Sequence, residues 1–283
     1  MDNIASPLRF LGGKVYASIP TEANKKMEEA IDSFNSFLAY MIDNCNENSV
    51  GSPGFEKTLL QMMVESVDEE GRGMTKVDLR NNVAVMILAG HETTASALSF
   101  AFYSLASNPR IQDRLLEEIH QTFGQGEALA NYEKINNMVY LDCFLKENLR
   151  MFPPVPQLPL RDLISPVVID GYKVPKNFKV LLSIYSLHRH PEIWGSDAEE
   201  FKPERFLENQ YPSFSYAPFG GGPRQCVGKQ FSLMEQKAFI IALVQHFKIE
   251  LDYPGQVLKF LKGRPNMCPV PETKYRLVKR SEN

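Results

Sequence analysis

Phe219-Gly-Gly-Gly-Pro-Arg-Gln-Cys-Val-Gly228 is the stretch from which the rest of this chain can be read. A cysteine binds metal as its thiolate, so a ligand cysteine must sit where ionisation is favoured. Cys226 stands just ahead of a predicted helix that starts near Lys229, and the positive end of that helix favours negative charge. Gly220, Gly221 and Gly222 let the backbone turn tightly and aim N–H groups at the sulfur. Phe219 would shield one side from water, Arg224 would reach an anionic group of a cofactor, and Gly228 would let the helix pass close to a flat ligand. The plainer alternative is a glycine-rich turn around a buried cysteine. Against it, F-x-x-G-x-R-x-C-x-G fixes five positions. At roughly one residue in twenty each, chance matches arise on the order of once per million start points.

Upstream, Ala89-Gly90-His91-Glu92-Thr93-Thr94 lies inside a long predicted helix that starts at a Thr75/Asp78 capping box and stops at Asn108-Pro109. Gly90 in a helix interior costs roughly 1 kcal/mol relative to alanine. A bare backbone there would let a planar cofactor or O2 approach, with the Glu92 carboxylate and Thr93 hydroxyl beside the opening. A small-residue helix contact with Ser/Thr back-bonding is the competing explanation. Further on, Glu147-x-x-Arg150 puts opposite charges on one helix face, commonly a surface feature. It is followed by Phe201-Lys-Pro-Glu-Arg-Phe206.

Together these segments resemble the cytochrome P450 family: its cysteine loop, its A-G-x-[D/E]-T oxygen motif, its E-x-x-R helix and its P-E-R-F element, in the family's order. The resemblance implies a mainly α fold with small β-sheets (α+β), a haem b cofactor (iron protoporphyrin IX) and Cys226 as the iron ligand. It implies that Thr93 hydrogen-bonds the oxygen being activated and that Glu92 relays protons. Ala89 and Gly90 would then flank the cofactor, and Arg161 would contact a haem propionate, alongside Phe219, Arg224 and Gly228. Glu147, Arg150 and Arg205 would form a buried ion triad that locks the cysteine loop. The implied reaction inserts one oxygen atom of O2 into a small organic, apolar substrate, with electrons from an NADPH-linked reductase. Lys146, Lys229 and Lys237 are candidates for a basic patch facing that donor, although surface lysines ordinarily serve solubility. His188 is expected to be an ordinary loop histidine, with a weaker likeness to a residue near the second propionate. His91 and His190 are expected to be structural or exposed.

The likeness covers the chain from about residue 21 onward. Within one catalytic domain, the helical part takes about 21–152 and the hairpin and loop region about 153–218. The cysteine loop and final helix take about 219–247, and short strands and loops about 248–283. Family members are longer, so the resemblance implies that the N-terminal portion is absent, along with a membrane anchor and the W-x-x-x-R haem contact. Parts of the oxygen and final helices are then expected to lack partners. The motif style is that of eukaryotic microsomal members, implying the cytosolic face of the endoplasmic reticulum membrane for a full-length parent. Two other readings follow: a haem-binding fragment without turnover, and a haem-thiolate isomerase or dehydratase. The intact Glu92-Thr93 pair weighs against the second.

The bulk properties agree with a globular protein: 283 residues, 43% hydrophobic, 23% charged and a net charge of −3, which gives no basic surplus for nucleic acid. Cys45, Cys143, Cys226 and Cys268 form no C-x-x-C pair, which argues against a zinc ribbon and a disulfide framework. Amphipathic helices are predicted over 21–44 and 55–66, a helix over about 140–150, a hairpin at Val167–Val174 around Asp170-Gly171, and a buried strand over Phe178–Ile184. Asn108 is expected to cap the helix that follows it. The apolar segments at Ala89, Val155–Leu158 and Phe260 are too generic to name a substrate.

Overall fold

The computed structural model describes residues 19–45, 57–124, 131–208, 211–253, 255–260, 266–270 and 273–280. It divides into two compact units, 1–91 and 92–283. Within the first unit, α1 (Glu22–Asp43) starts at Thr21, whose hydroxyl accepts the Asn24 N–H at 3.2 Å. The short helix α2 (Leu59–Glu65) has a complete capping box. The Thr58 hydroxyl accepts the Gln61 N–H, and the Gln61 carboxamide oxygen accepts the Thr58 N–H. This start lies inside the predicted range 55–66, whose first two residues fall outside the described ones. Leu38, Met63, Leu79 and Val83 close a small core there.

Helix α3 (Lys76–Ser107) runs through the division between the units. At its start the Thr75 hydroxyl accepts the Asp78 N–H at 3.1 Å, one half of the predicted capping box, and donates to the Asp78 carboxylate at 2.6 Å. It is followed by α4 (Pro109–Phe123), α5 (Tyr132–Asn136) and α6 (Val139–Met151). Asn108 does not cap α4 with its side chain. Its carboxamide instead donates back to the Ser104 carbonyl at 2.8 Å, an alternative partner open to any Asn at a helix junction.

The strands are short. β1 (Arg161–Asp162) pairs with β4 (Lys179–Val180), and β2 (Val167–Ile169) pairs with β3 (Tyr172–Val174), both antiparallel. Asp170 and Gly171 both have positive φ, 48° and 78°, which is the two-residue hairpin turn that the Asp-Gly signal predicts. Asn177 also sits at φ 65°, a conformation asparagine tolerates. The predicted buried strand over Phe178–Ile184 is a correction: only Lys179 and Val180 are strand, Phe178, Leu181 and Leu182 are exposed, and Ile184 opens helix α7 (Ile184–Leu187). An apolar run fixes neither its period nor its burial.

Helix α8 (Pro191–Trp194) and the 3-10 turns Pro203–Phe206 and Gly222–Arg224 lead to the final helix α9 (Lys229–His246) and the antiparallel pair β5 (Phe247–Leu251) and β6 (Tyr275–Lys279). The second unit's core joins α4, α6 and α9 through Leu115, Ile119, Leu141, Phe144, Leu145, Ile240 and Ile241. Parts of α3 and α9 remain uncovered, notably Val85 and Leu88 on one and Phe231 on the other.

One buried polar side chain ties this core to the sheet. Gln112, fully buried on α4, accepts the Ile249 N–H at 2.7 Å and donates to the Ile249 carbonyl at 3.1 Å. Truncation would strand both backbone groups. Gln112→Ala is expected to lower the unfolding free energy by about 3 kcal/mol, measured by denaturant titration. A loss below about 1 kcal/mol would mean that the strand finds other partners.

Candidate active site

Helix α6 has buried residues on every side, and its acid and base reflect that. Glu147 and Arg150 are both 0% exposed. Arg150 Nε and Nη2 donate to the two Glu147 carboxylate oxygens at 2.7 and 2.9 Å, a bidentate pair. Its other donors reach the carbonyls of His188 (2.8 Å), Ala198 (2.7 Å) and Glu200 (3.0 Å). Glu147 also accepts Arg205 Nε at 3.0 Å and the Lys202 N–H at 2.7 Å. Glu147, Arg150 and Arg205 are thus brought together, and they gather residues 188–205 around α6. The aromatic box of Trp194, Phe206, Tyr211 and Tyr216 packs over the same segment, with Trp194 stacked on Tyr211 and the Arg150 guanidinium 5.2 Å from the Trp194 ring.

From this frame the chain runs into the cysteine loop. The Ala217 carbonyl accepts the Gly220 N–H, and the Phe219 carbonyl accepts the Cys226 N–H, each at 3.0 Å. Gly220 and Gly222 take φ 69°, a region that penalises any side chain, so the glycines there are required by the backbone. Phe219 is half-buried at the loop's start. Cys226 is an exposed free thiol. Its Sγ lies 3.9 Å from where a Cβ on Gly228 would stand, and the Gly228 carbonyl accepts the first helical N–H of α9, from Ser232. The sulfur therefore sits beside the positive end of an 18-residue helix.

The remaining predicted site residues lie on two other segments. Leu158 touches the loop, with its Cδ1 3.9 Å from the Cβ position of Gly220. Arg161 follows three residues later, about 10 Å along extended chain. Its neighbour Asp162 pairs with Lys179 at 2.7 Å, and neither Arg161 nor Arg224 has an ion-pair partner among the described residues. Glu92 and Thr93 are half-buried on α3, and Glu92 Oε2 accepts Asn266 Nδ2 at 3.2 Å. Ala89 and Gly90 are exposed one turn earlier, and no described atom lies within 4 Å of a Cβ placed on Gly90. His91 and His190 are exposed.

This donor set fits a haem. It offers one exposed thiol, exposed large apolar side chains in the same loop and the first turn of α9 (Val227 is 89% and Phe231 77% exposed), and two guanidiniums, suited to carboxylates, that have no ion-pair partner among the described residues. No group of three or more His, Cys, Asp or Glu forms another metal site among the described residues. The lysines form a less positive patch than their sequence positions suggest. Burial works to raise the Asp142 carboxyl, but Lys237 at 2.9 Å and Lys146 at 3.1 Å outweigh it and hold it below its ordinary value. These residues border a 390 Å³ cavity that Lys229 and the loop residues Pro218, Phe219 and Gln225 also line.

His188 is not the ordinary loop histidine that its sequence context predicts. It is 0% exposed, and its Nε2 accepts the Ala217 N–H at 2.9 Å. Its ring stacks on Tyr216 at 5.3 Å. Burial first, then the Arg150 and Arg189 charges, push the imidazole from 6.5 down to about 4. No sequence pattern marks it, because its partner is a backbone group 29 residues away.

Two outcomes are expected. Glu147→Gln leaves the Arg150 charge buried without its counter-ion and should cost about 3–5 kcal/mol of stability. A neutral buried His188 contributes stability that is full above pH 6.5 and is lost as pH falls through about 4, since the unfolded chain binds the proton first. Denaturant titrations across that window should show declining stability, and His188→Gln should flatten the decline.

The cytochrome P450 family model matches residues 7–278. Cytochrome P450 4V2 of Mus musculus is 36% identical over 205 residues, covering 71% of this chain and 38% of the relative. The Homo sapiens protein of the same name is 33% identical over 241 residues, covering 80% and 45%. The bifunctional cytochrome P450/NADPH--P450 reductase of Aspergillus oryzae is 31% identical, covering 88% of this chain and 23% of that protein. Among solved structures, retinoic acid bound cyanobacterial CYP120A1 superposes with a TM-score of 0.80 at 30% identity, covering 93% of this chain and 59% of that one. The chain spans less than half the length of the curated relatives it matches. With the family model matching nearly end to end and the fold agreeing, the chain belongs to the cytochrome P450 family.

Proposed function

We propose that this chain supplies the haem-binding and oxygen-activating part of a monooxygenase that inserts one atom of O2 into a small, apolar organic substrate. The observation that carries this reading is the accessible Cys226 thiol at the start of α9, on a loop whose glycines and carbonyls set its position. The bound group would be haem b, whose thiolate-ligated iron supplies the O–O cleavage chemistry. The chain's own residues would do the rest. Cys226 would hold the iron as its thiolate, a negative charge that the α9 dipole favours. Arg161 and Arg224 would pair the two propionates, and Gly90 would leave room for the flat ring and O2. Thr93 would hold a proton at its hydroxyl near the oxygen, and Glu92, steadied by Asn266, would pass protons inward. Phe219, Val227 and Phe231 would exclude water around the sulfur.

Electrons would come from an NADPH-linked reductase, a reading favoured by the reductase named in the Aspergillus oryzae relative. The location attached to this reading is the cytosolic face of the endoplasmic reticulum membrane. A haem-thiolate isomerase or dehydratase is the second reading. It is disfavoured because the sequence keeps both Glu92 and Thr93, which would serve oxygen chemistry.

Removal of the sulfur ligand tests the proposal. Cys226→Ser is expected to abolish the ferrous–CO spectrum characteristic of thiolate ligation and to cut substrate oxygenation by at least about a thousandfold, as loss of a ligand that drives bond cleavage would. Thr93→Ala should consume NADPH with less product, measured as product formed per NADPH. A Cys226→Ser protein with an unchanged absorption spectrum would refute the assignment.

A further inference from the structure

We propose that His188 is a positioning residue for the iron-ligating loop: its ring nitrogen holds the Ala217 N–H and thereby fixes where the Cys226 sulfur stands. The inference rests on the reading of Cys226 as the iron ligand. His188 is secured at both ends. Its carbonyl accepts Arg150 Nη1 at 2.8 Å, and its own N–H closes α7 on the Ile184 carbonyl at 2.9 Å. Its ring lies flat against Tyr216 and edge-on to Trp194, so it has little freedom to turn.

The bonds then run in sequence toward the sulfur. His188 Nε2 accepts the Ala217 N–H, the Ala217 carbonyl accepts the Gly220 N–H, and the Phe219 carbonyl accepts the Cys226 N–H. A second tie runs from the Tyr216 hydroxyl to the Lys146 carbonyl at 3.1 Å, also on α6. The frame around the triad thus reaches the cysteine loop through the His188 imidazole acceptor and the Tyr216 hydroxyl. An acceptor Nε2 requires the neutral ring with its proton on Nδ1, which is buried and has no hydrogen-bond partner among the described residues. The charged groups around it, Arg150 and Arg189, both oppose ring protonation and so keep the acceptor available. Tyr216, the nearest phenol, is itself driven upward by burial and remains neutral.

The test compares the haem-loaded wild-type protein with His188→Gln, which retains an acceptor, and His188→Met, which retains volume without a strong one. The readout is the ratio of thiolate-ligated to neutral-ligand protein in the ferrous–CO spectrum, with helical content measured alongside. His188→Met should move that ratio about tenfold toward the neutral form, the shift that loss of one buried hydrogen bond produces, while His188→Gln restores most of it. Equal ratios in all three proteins would overturn the proposal, as would equal losses in Gln and Met. If neither variant folds, amide exchange in the wild-type holoprotein decides. Protection at Ala217 matching the α6 amides supports the proposal, and fast exchange there defeats it. A wild-type protein with no thiolate spectrum would instead refute the Cys226 assignment itself.

Discussion

A fully buried guanidinium cannot be left without partners, and Arg150 organises the second unit around that requirement. Its donors are all used: two on the Glu147 carboxylate and the others on carbonyls of residues 188, 198 and 200. Each carbonyl belongs to chain with almost no regular structure, so the charge does what a sheet or helix ladder does elsewhere. Such a network need not add net stability over a hydrophobic core. What it adds is geometry, because a planar fork accepts only one arrangement of acceptors. The aromatic box then seals the arrangement from water. The cysteine loop hangs from this frame and would otherwise be a glycine-rich segment with many accessible conformations.

Helix α3 is tied down by polar contacts as well as apolar ones. Within the second unit, Thr94 Oγ1 meets Ser232 Oγ of α9 at 2.9 Å, and Ser232 Oγ in turn accepts Gln236 Nε2. On the α6 side, Asn148 donates to the Ala97 carbonyl and accepts Ser104 Oγ. These contacts fix the helix's rotation about its own axis, which apolar packing alone leaves loosely specified. Glu92 and Thr93, the pair proposed to serve oxygen chemistry, immediately precede the Thr94 anchor.

The sequence makes the candidate site residues legible wherever the proposed chemistry demands a rare residue at a fixed spacing. The cysteine loop, the Glu92-Thr93 pair and the Glu147-x-x-Arg150 step are of this kind. Local backbone signals carried the hairpin, since Asp-Gly can adopt two successive positive φ values, and they carried the start of α3 at Thr75. Less was visible where the partner is distant and is a backbone group. Gln112 and His188 look like ordinary polar residues in sequence, because Ile249 and Ala217 contribute only main-chain atoms to the contact. The apolar run at 178–184 misled for a related reason. Composition specified an affinity for burial, but the local chain course placed most of the run at the surface. Lys237 shows the reverse: a lysine that reads as a surface charge is buried against Asp142.

The central claim is that the Cys226 sulfur, held by this frame, binds the haem iron. X-ray absorption at the iron edge of the haem-loaded protein measures it directly. The account predicts one sulfur scatterer in the first coordination shell, absent in Cys226→Ser. A first shell of nitrogen and oxygen alone in the unmodified protein would contradict it.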